Sequence, residues 1–257
     1  MKVVILAGGL GTRISEETGI KPKPMVEIGS EPILWHIMKY YSTYNFNDFI
    51  ICAGYKQNII KDYFVSYLRN HIDIEVNLSK NEVNILNDHK EFWNIKVIDT
   101  GLLTMTGGRI KRIEKYVDGE SFMLTYGDGL TDLDLNNLKE FHFKSKKSLT
   151  ITAVQPKGRF GILKMEKNDV LEFTEKPAGD NNWINGGYYV MNRDIFDYIS
   201  SDNTVWEEEP IRNLVKEGKT NAFKHNGFWK PMDTMSDKKQ LEELWNSGKA
   251  PWKIWKD

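Results

Sequence analysis

The chain has 257 residues, a single cysteine and a formal net charge of −1. That balance excludes a general nucleic-acid binder, whose affinity comes mainly from phosphate neutralisation, and one cysteine excludes an internal disulfide and suits a reducing compartment. No apolar run approaches the roughly 20 residues of a membrane helix, and the first such run is broken by Gly8 before it could act as a signal peptide. A cytoplasmic α/β protein with neither membrane nor nucleic-acid partner is expected, large enough to bury a core without staples.

Val3 to Ala7 is a short, unbroken apolar run rich in β-branched residues and predicts a buried strand. It runs into Gly8-Gly9-Leu10-Gly11, followed at once by Thr12 and Arg13 and then by Lys21 and Lys23, set beside Pro22 and Pro24. A strand that delivers a glycine loop among cations suits phosphate: backbone N–H groups supply fixed donors, and Arg and Lys supply charge. It is not a P-loop, because no Gly-Lys-Ser/Thr follows at the required spacing. Nor is it a dinucleotide fingerprint, whose third glycine would fall on Ile14 and whose acid is missing from Ile50–Gly54.

Pro32 opens a helix pattern through Ile33, Leu34, Ile37, Met38 and Tyr41, with His36 read as a structural histidine. Phe49 to Ala53 predicts a second buried strand holding Cys52 as a small core residue, and a helix carrying Ile59, Ile60, Tyr63, Phe64 and Tyr67 follows. Alternating strands and helices predict a parallel sheet with right-handed crossovers, and ligands on such sheets sit at the carboxyl ends of the strands. From Ile72 to Ile98 the pattern shortens to strands with polar breaks. Met105-Thr-Gly-Gly-Arg109 then opens a short basic helix with Ile110, Ile113 and Val117 on one face. Arg109 in its first turn opposes the dipole preference for acids, which points to an anion.

Phe122 to Tyr126 predicts a strand that delivers Gly127-Asp128-Gly129, a hard oxygen donor of the kind Mg²⁺ takes alongside substrate phosphates. A helix through Leu135, Leu138 and Phe141 and a strand over Leu149 to Val154 come next. Arg159 to Ile162 and Val170 to Thr174 form a hairpin pattern leading to Glu175-Lys176-Pro177, and Asn185-Gly186-Gly187 precedes a strand over Tyr188 to Met191. Thr204 is expected to cap a helix with the glutamates at 207–209 in its first turn, and Ser236 to cap one through Leu241, Leu244 and Trp245. Trp252 and Trp255 on a polar tail predict docking onto the body or a neighbouring subunit.

Leu6 to Arg13 with Lys21 to Met25, Tyr126 to Gly129, Glu175 to Pro177, Asn185 to Gly187 and Trp229 to Thr234 together resemble the sugar-1-phosphate nucleotidylyltransferases. Lys21 to Gly29, Met105 to Arg109, Trp206 to Pro210 and Pro251 to Trp255 resemble the branch that uses CTP and glucose 1-phosphate. The resemblance implies a Rossmann-like mixed, mainly parallel sheet flanked by helices with a β-rich sugar-binding excursion. It implies one domain over 1–247, nucleotide-binding over about 1–130 and sugar-binding over about 131–235, then a tail over 248–257, in a homo-oligomer. Its implied nucleotide-binding residues are Leu6, Ala7, Gly8, Gly9, Leu10, Gly11, Thr12, Arg13, Lys23, Thr104 and Arg109. Tyr126, Glu175, Lys176, Asn185, Gly186 and Glu208 are implied for the sugar phosphate, Asp128 and Asp233 for Mg²⁺, and Arg13, Lys23 and Asp128 for catalysis. Lys23 reads as an exposed loop lysine whose removal leaves stability unchanged. The same class with dTTP or UTP, and a non-catalytic sugar-nucleotide sensor, stay open as alternatives.

Overall fold

A computed structural model describes residues 1–86, 91–156, 162–174 and 182–256. In chain order the elements begin with β1 (Val3–Ala7), α1 (Ser15–Thr18), β2 (Glu27–Ile28), β3 (Glu31–Pro32), α2 (Ile33–Ser42), β4 (Asp48–Ala53) and α3 (Gln57–His71). A hairpin of β5 (Ile74–Asn77) and β6 (Glu82–Ile85) precedes β7 (Asn94–Asp99), α4 (Thr106–Arg112), β8 (Ser121–Tyr126), β9 (Gly129–Thr131), α5 (Leu135–Ser145) and β10 (Leu149–Val154). A second hairpin, β11 (Ile162–Glu166) and β12 (Asp169–Thr174), leads to β13 (Ile184–Asn192), α6 (Glu209–Lys216), β14 (Thr220–His225), β15 (Trp229–Pro231) and α7 (Met235–Asn246).

Seven strands make the central sheet in the order β14-β10-β13-β8-β1-β4-β7. Its pairings are parallel except that β13 runs against both β8 and β10. Alternation along β1 separates two cores: Val3, Ile5 and Ala7 face α2, α7 and the tail, whereas Val4 and Leu6 face Ile110 of α4 and Leu214 of α6. Strands covered on both faces lose the in–out alternation, which is why β1 and the Phe49–Ala53 stretch of β4 read as continuous apolar runs and β8 as one broken only by Thr125 after Ser121. The parallel strands β1, β4, β7 and β8 end on one edge, at Gly8, Gly54, Gly101 and Gly127. That edge is where the sequence places the phosphate loop.

Two helix starts differ from expectation. Residues 201–208 turn rather than coil, α6 begins only at Glu209, and the Thr204 carbonyl instead accepts from the Gly107 and Gly108 N–H groups. Pro210 at the start of α6 supplies the fixed φ that a helix accepts there. α7 is capped by Thr234 rather than Ser236, in a reciprocal capping box with Asp237. Among the described residues, no helix is long and apolar enough to cross a membrane.

The tail docks on its own body. Trp252 is fully buried and stacks on Phe228 and Trp245, and Trp255 meets Trp35 edge-on. His36, also fully buried, donates through Nε2 to the Ile28 carbonyl at 2.8 Å, which leaves Nδ1 to accept from Trp252 Nε1 at 3.4 Å. This confirms the structural reading of His36. Burial, opposed by its backbone contacts, pushes its pKa down to about 4. A second proton would turn Nδ1 into a donor facing the indole donor. A base with a depressed folded pKa contributes stability that is complete above about pH 6.5 and falls towards pH 4. We expect urea denaturation to register about 3 kcal/mol of acid-dependent loss from this residue by pH 4, and His36→Phe to flatten that slope; an unchanged slope would remove His36 as its source.

Candidate active site

The glycine loop lies over a buried arginine. Arg109 is 4% exposed, and its guanidinium donates to Thr100 Oγ1 at 2.8 Å, the Gly101 carbonyl at 2.7 Å and the Leu102 carbonyl at 3.2 Å. It ties the ends of β4 and β7 to α4. A Cβ on Gly8 would come within 2.2 Å of that guanidinium, and one on Gly54 within 2.4 Å of it and 2.7 Å of the Gly101 carbonyl oxygen. Arg109 thus fills space that only glycines leave. Its donors serve the Thr100 hydroxyl and the carbonyls of Ala53, Gly101 and Leu102, and its side chain also lines the cavity beside the loop. Cys52 beneath it is buried and its thiol is pushed up to about 12 by burial, partly offset by Arg109, so it is a core residue as expected.

Above the loop is a cavity of about 370 Å³ lined by Leu6, Ala7, Gly8, Gly9, Gly11, Lys23, Thr104, Arg109 and Tyr126. Gly11 sits at φ 65°, in the left-handed region that glycine adopts at little cost. Leu10 and Thr12 are exposed beside the cavity. Arg13, Tyr126 and Asp128 also line a second cavity of about 300 Å³, together with Asn185, Gly186, Gly187, Trp229 and Asp233. The two chambers share a wall.

At that wall four charges meet. Lys23 Nζ lies 2.5 Å from an Asp128 oxygen and 2.7 Å from an Asp233 oxygen, and Arg13 donates to the other Asp233 oxygen at 2.9 Å. Lys23 is held in a short 3₁₀ turn over Lys23–Met25, between Pro22 and Pro24. Asp128 and Asp233, distant in sequence, are brought together by the antiparallel ribbon of β9 and β15, with the Met232 N–H donating to the Asp128 carbonyl at 2.8 Å. Lys23 is 8% exposed, which overturns its reading as an exposed lysine of little structural weight. Burial pulls its ammonium down, but Asp128 and Asp233 outweigh that and hold it above the ordinary lysine value. Its removal would leave two carboxylates facing each other, so a thermally silent substitution is not expected.

Among the described residues, no group of three or more His, Cys, Asp and Glu side chains could hold a metal. Two carboxylates converging on one cation nevertheless fit Mg²⁺, which commonly takes one or two carboxylates and completes its shell with phosphate oxygens and water.

On the other side of the wall, the Tyr126 hydroxyl donates to the Glu207 carboxylate and lies 3.2 Å from the Tyr189 hydroxyl. Asn185 Nδ2 donates to that same Tyr189 oxygen at 2.5 Å, and the Gly187 N–H donates to Asn185 Oδ1. The Gly186 carbonyl accepts from Trp229 Nε1 at 2.7 Å. Burial first, then Tyr189 and Glu207, raise the Tyr126 pKa far above its ordinary value, so it stays protonated and donating. Glu208, the residue expected here, is exposed; its neighbour Glu207 turns inward. The local pattern of three consecutive glutamates cannot choose between them, because the choice depends on where residues 201–208 turn. Glu175 and Lys176 lie outside the described residues.

These packing differences separate the glycines by experiment. A Cβ on Gly9 meets nothing within 4 Å, whereas one on Gly54 meets two backbone oxygens and Arg109. Gly9→Ala should fold within about 0.5 kcal/mol of the parent and weaken nucleotide binding, because the methyl enters the cavity. Gly54→Ala should cost about 1–3 kcal/mol in chemical denaturation. Equal stabilities for the two variants would contradict this assignment.

Comparison with known proteins agrees with this geometry. Residues 2–237 match the family model described as Nucleotidyl transferase. The chain is 52% identical to a glucose-1-phosphate cytidylyltransferase of Salmonella typhi over 256 residues, covering 99% of this chain and 100% of that one. A probable glucose-1-phosphate cytidylyltransferase of Bacillus subtilis is 42% identical with the same coverage. Among solved structures, HddC from Yersinia pseudotuberculosis superposes with a TM-score of 0.71 at 26% identity, over 95% of this chain and 99% of that one. A family match over residues 2–237, a mainly parallel sheet of the same architecture and a charged glycine-loop site at its carboxyl edge lead to one conclusion: the chain is a member of the nucleotidyl transferase family.

Proposed function

We propose that the protein transfers the cytidylyl group of CTP to glucose 1-phosphate, giving CDP-glucose and pyrophosphate. The observation that carries the reaction class is the shared wall: two adjoining cavities meet at Arg13, Tyr126 and Asp128, where the charges converge. The choice of cytosine and glucose is supported by the 52% identity to the Salmonella typhi enzyme. A phosphate oxygen of the sugar phosphate attacks the α-phosphorus, the bond to the β-phosphate oxygen breaks, and pyrophosphate departs. No protein nucleophile is needed, so catalysis rests on alignment and on neutralising charge.

In this reading the glycine loop and Thr12 receive the β- and γ-phosphates through N–H and hydroxyl donors, and Arg13 offsets the charge of the departing pyrophosphate. Lys23 meets the α-phosphate at the wall between the cavities. Tyr126, Asn185 and the Gly186 backbone position the sugar, with Glu175 and Lys176 assigned to its hydroxyls and phosphate. Asp128 and Asp233 would hold Mg²⁺, which supplies Lewis-acid neutralisation of phosphate oxygens when bound. We assign the nucleotide to the part before about residue 130, the sugar to the part up to about 235, and the protein to the cytoplasm.

The deciding assay is pyrophosphate release with Mg²⁺ across nucleoside triphosphates and hexose 1-phosphates. CTP with glucose 1-phosphate should turn over fastest, and a chelator should abolish release. Equal or faster turnover with dTTP or UTP would overturn the base assignment, and silence with every pair would overturn the class.

We also propose a homo-oligomer. The β5–β6 hairpin pairs Ile74 with Ile85 and Val76 with Val83, and all four are exposed, although an isolated two-stranded hairpin is marginal in water. Val76→Asp should lower the mass measured by light scattering; a parent mass equal to one chain would refute the oligomer.

A further inference from the structure

Lys23 and a metal ion have claims on the same oxygens. The ammonium lies 2.5 and 2.7 Å from the two carboxylates that would hold Mg²⁺, and Arg13 takes an Asp233 oxygen from outside. A magnesium ion needs its oxygens at about 2.0–2.1 Å, so it cannot share that point with an ammonium. The side chains of Lys23 and Asp233 are only 10% and 15% exposed, so water screens their interaction little. Two carboxylates, one ammonium and one guanidinium also sum to zero formal charge, which gives a free divalent cation no net attraction.

We propose, on the reading above that Asp128 and Asp233 hold the metal, that Lys23 is a displaceable internal counter-ion that makes metal binding conditional on the nucleotide. Lys23 has a flexible four-carbon stem and lines the nucleotide cavity as well as the carboxylate pair. A triphosphate in that cavity offers the ammonium a new anionic partner and brings the oxygens that complete the metal shell. One event therefore frees the carboxylates and fills the rest of the coordination sphere. Free metal at the same site meets a cation already hydrogen-bonded to both its ligands. The consequence is an enzyme that takes up metal with its triphosphate rather than ahead of it.

The test is Mn²⁺ binding to the full chain, followed by the electron paramagnetic resonance of free Mn²⁺, with and without a CTP analogue carrying a methylene bridge between its α- and β-phosphates. Without nucleotide, Lys23→Met should bind one Mn²⁺ on the order of ten- to a hundredfold more tightly than the parent. Adding Asp128→Asn to Lys23→Met should remove that gain, which a structural effect elsewhere would not do. In the parent, the analogue should raise Mn²⁺ affinity beyond the analogue's own affinity for Mn²⁺, a result that needs no variant to fold. Equal nucleotide-free affinities for the parent and Lys23→Met would overturn the proposal and leave the metal assignment standing. Binding by neither, with or without the analogue, would overturn both.

Discussion

The ammonium of Lys23 between Asp128 and Asp233 is the contact to which the rest of the site is built. Each of its three residues arrives on a different device: a proline-flanked 3₁₀ turn, the glycine-flanked end of a central strand, and a short ribbon strand. The ribbon matters most, because two carboxylates repel and hold together only with a cation between them and a backbone that fixes their spacing. Three antiparallel pairs between β9 and β15 and the hydrogen bond from Met232 to Asp128 supply that spacing. Directly after Asp233 the chain enters the Thr234–Asp237 capping box, so the aspartate is pinned from the other side by a helix start. α7 is held in turn by the tail and by the turn between β2 and β3, since Trp245 stacks on Trp252 and a Cβ on Gly29 would collide with Trp245. Distant tryptophans thus bear on the geometry of a carboxylate pair.

Much of this was legible from the sequence, for a physical reason. Parallel strands buried on both faces show as apolar runs, continuous in β1 and over Phe49–Ala53 of β4 and broken only by Thr125 after Ser121 in β8, so these could be found without a structure, and the carboxyl-edge rule then located the site. Asp128 was legible from its place between glycines at a strand end, but Asp233 and the pairing of the two only through the family resemblance, because nothing local joins two aspartates across a long stretch of chain. What failed was whatever tertiary contact decides. Thr204 has the look of a helix cap, yet its carbonyl is taken by the start of α4 and the helix begins later. Lys23 has the composition of a solvated loop lysine, yet its partners are brought by strands far away in sequence. Arg109 shows its charge in the sequence but not its burial: the carbonyls at the ends of β4 and β7 need donors, and a guanidinium beneath glycines satisfies them.

The inward turn of Glu207 follows the same logic and has a further consequence. Its carboxylate accepts from Tyr126, in the wall between the cavities, and from Thr106 Oγ1 at 2.7 Å, at the first residue of the helix that carries Arg109. Thr106 Oγ1 accepts in return from the Trp206 N–H at 2.9 Å, which fixes the chain on which Glu207 sits. One carboxylate therefore ties helix α4 to the wall between the two cavities. A partly buried network of this kind is costly to leave half-satisfied, so its members tend to keep or lose their geometry together. Tyr126 cannot tilt towards either cavity without releasing Glu207, and α4 cannot shift without drawing on the same bond. In a reaction that depends on bringing two phosphates into line, a rigid partition between two adjoining cavities is a structural means of keeping that alignment.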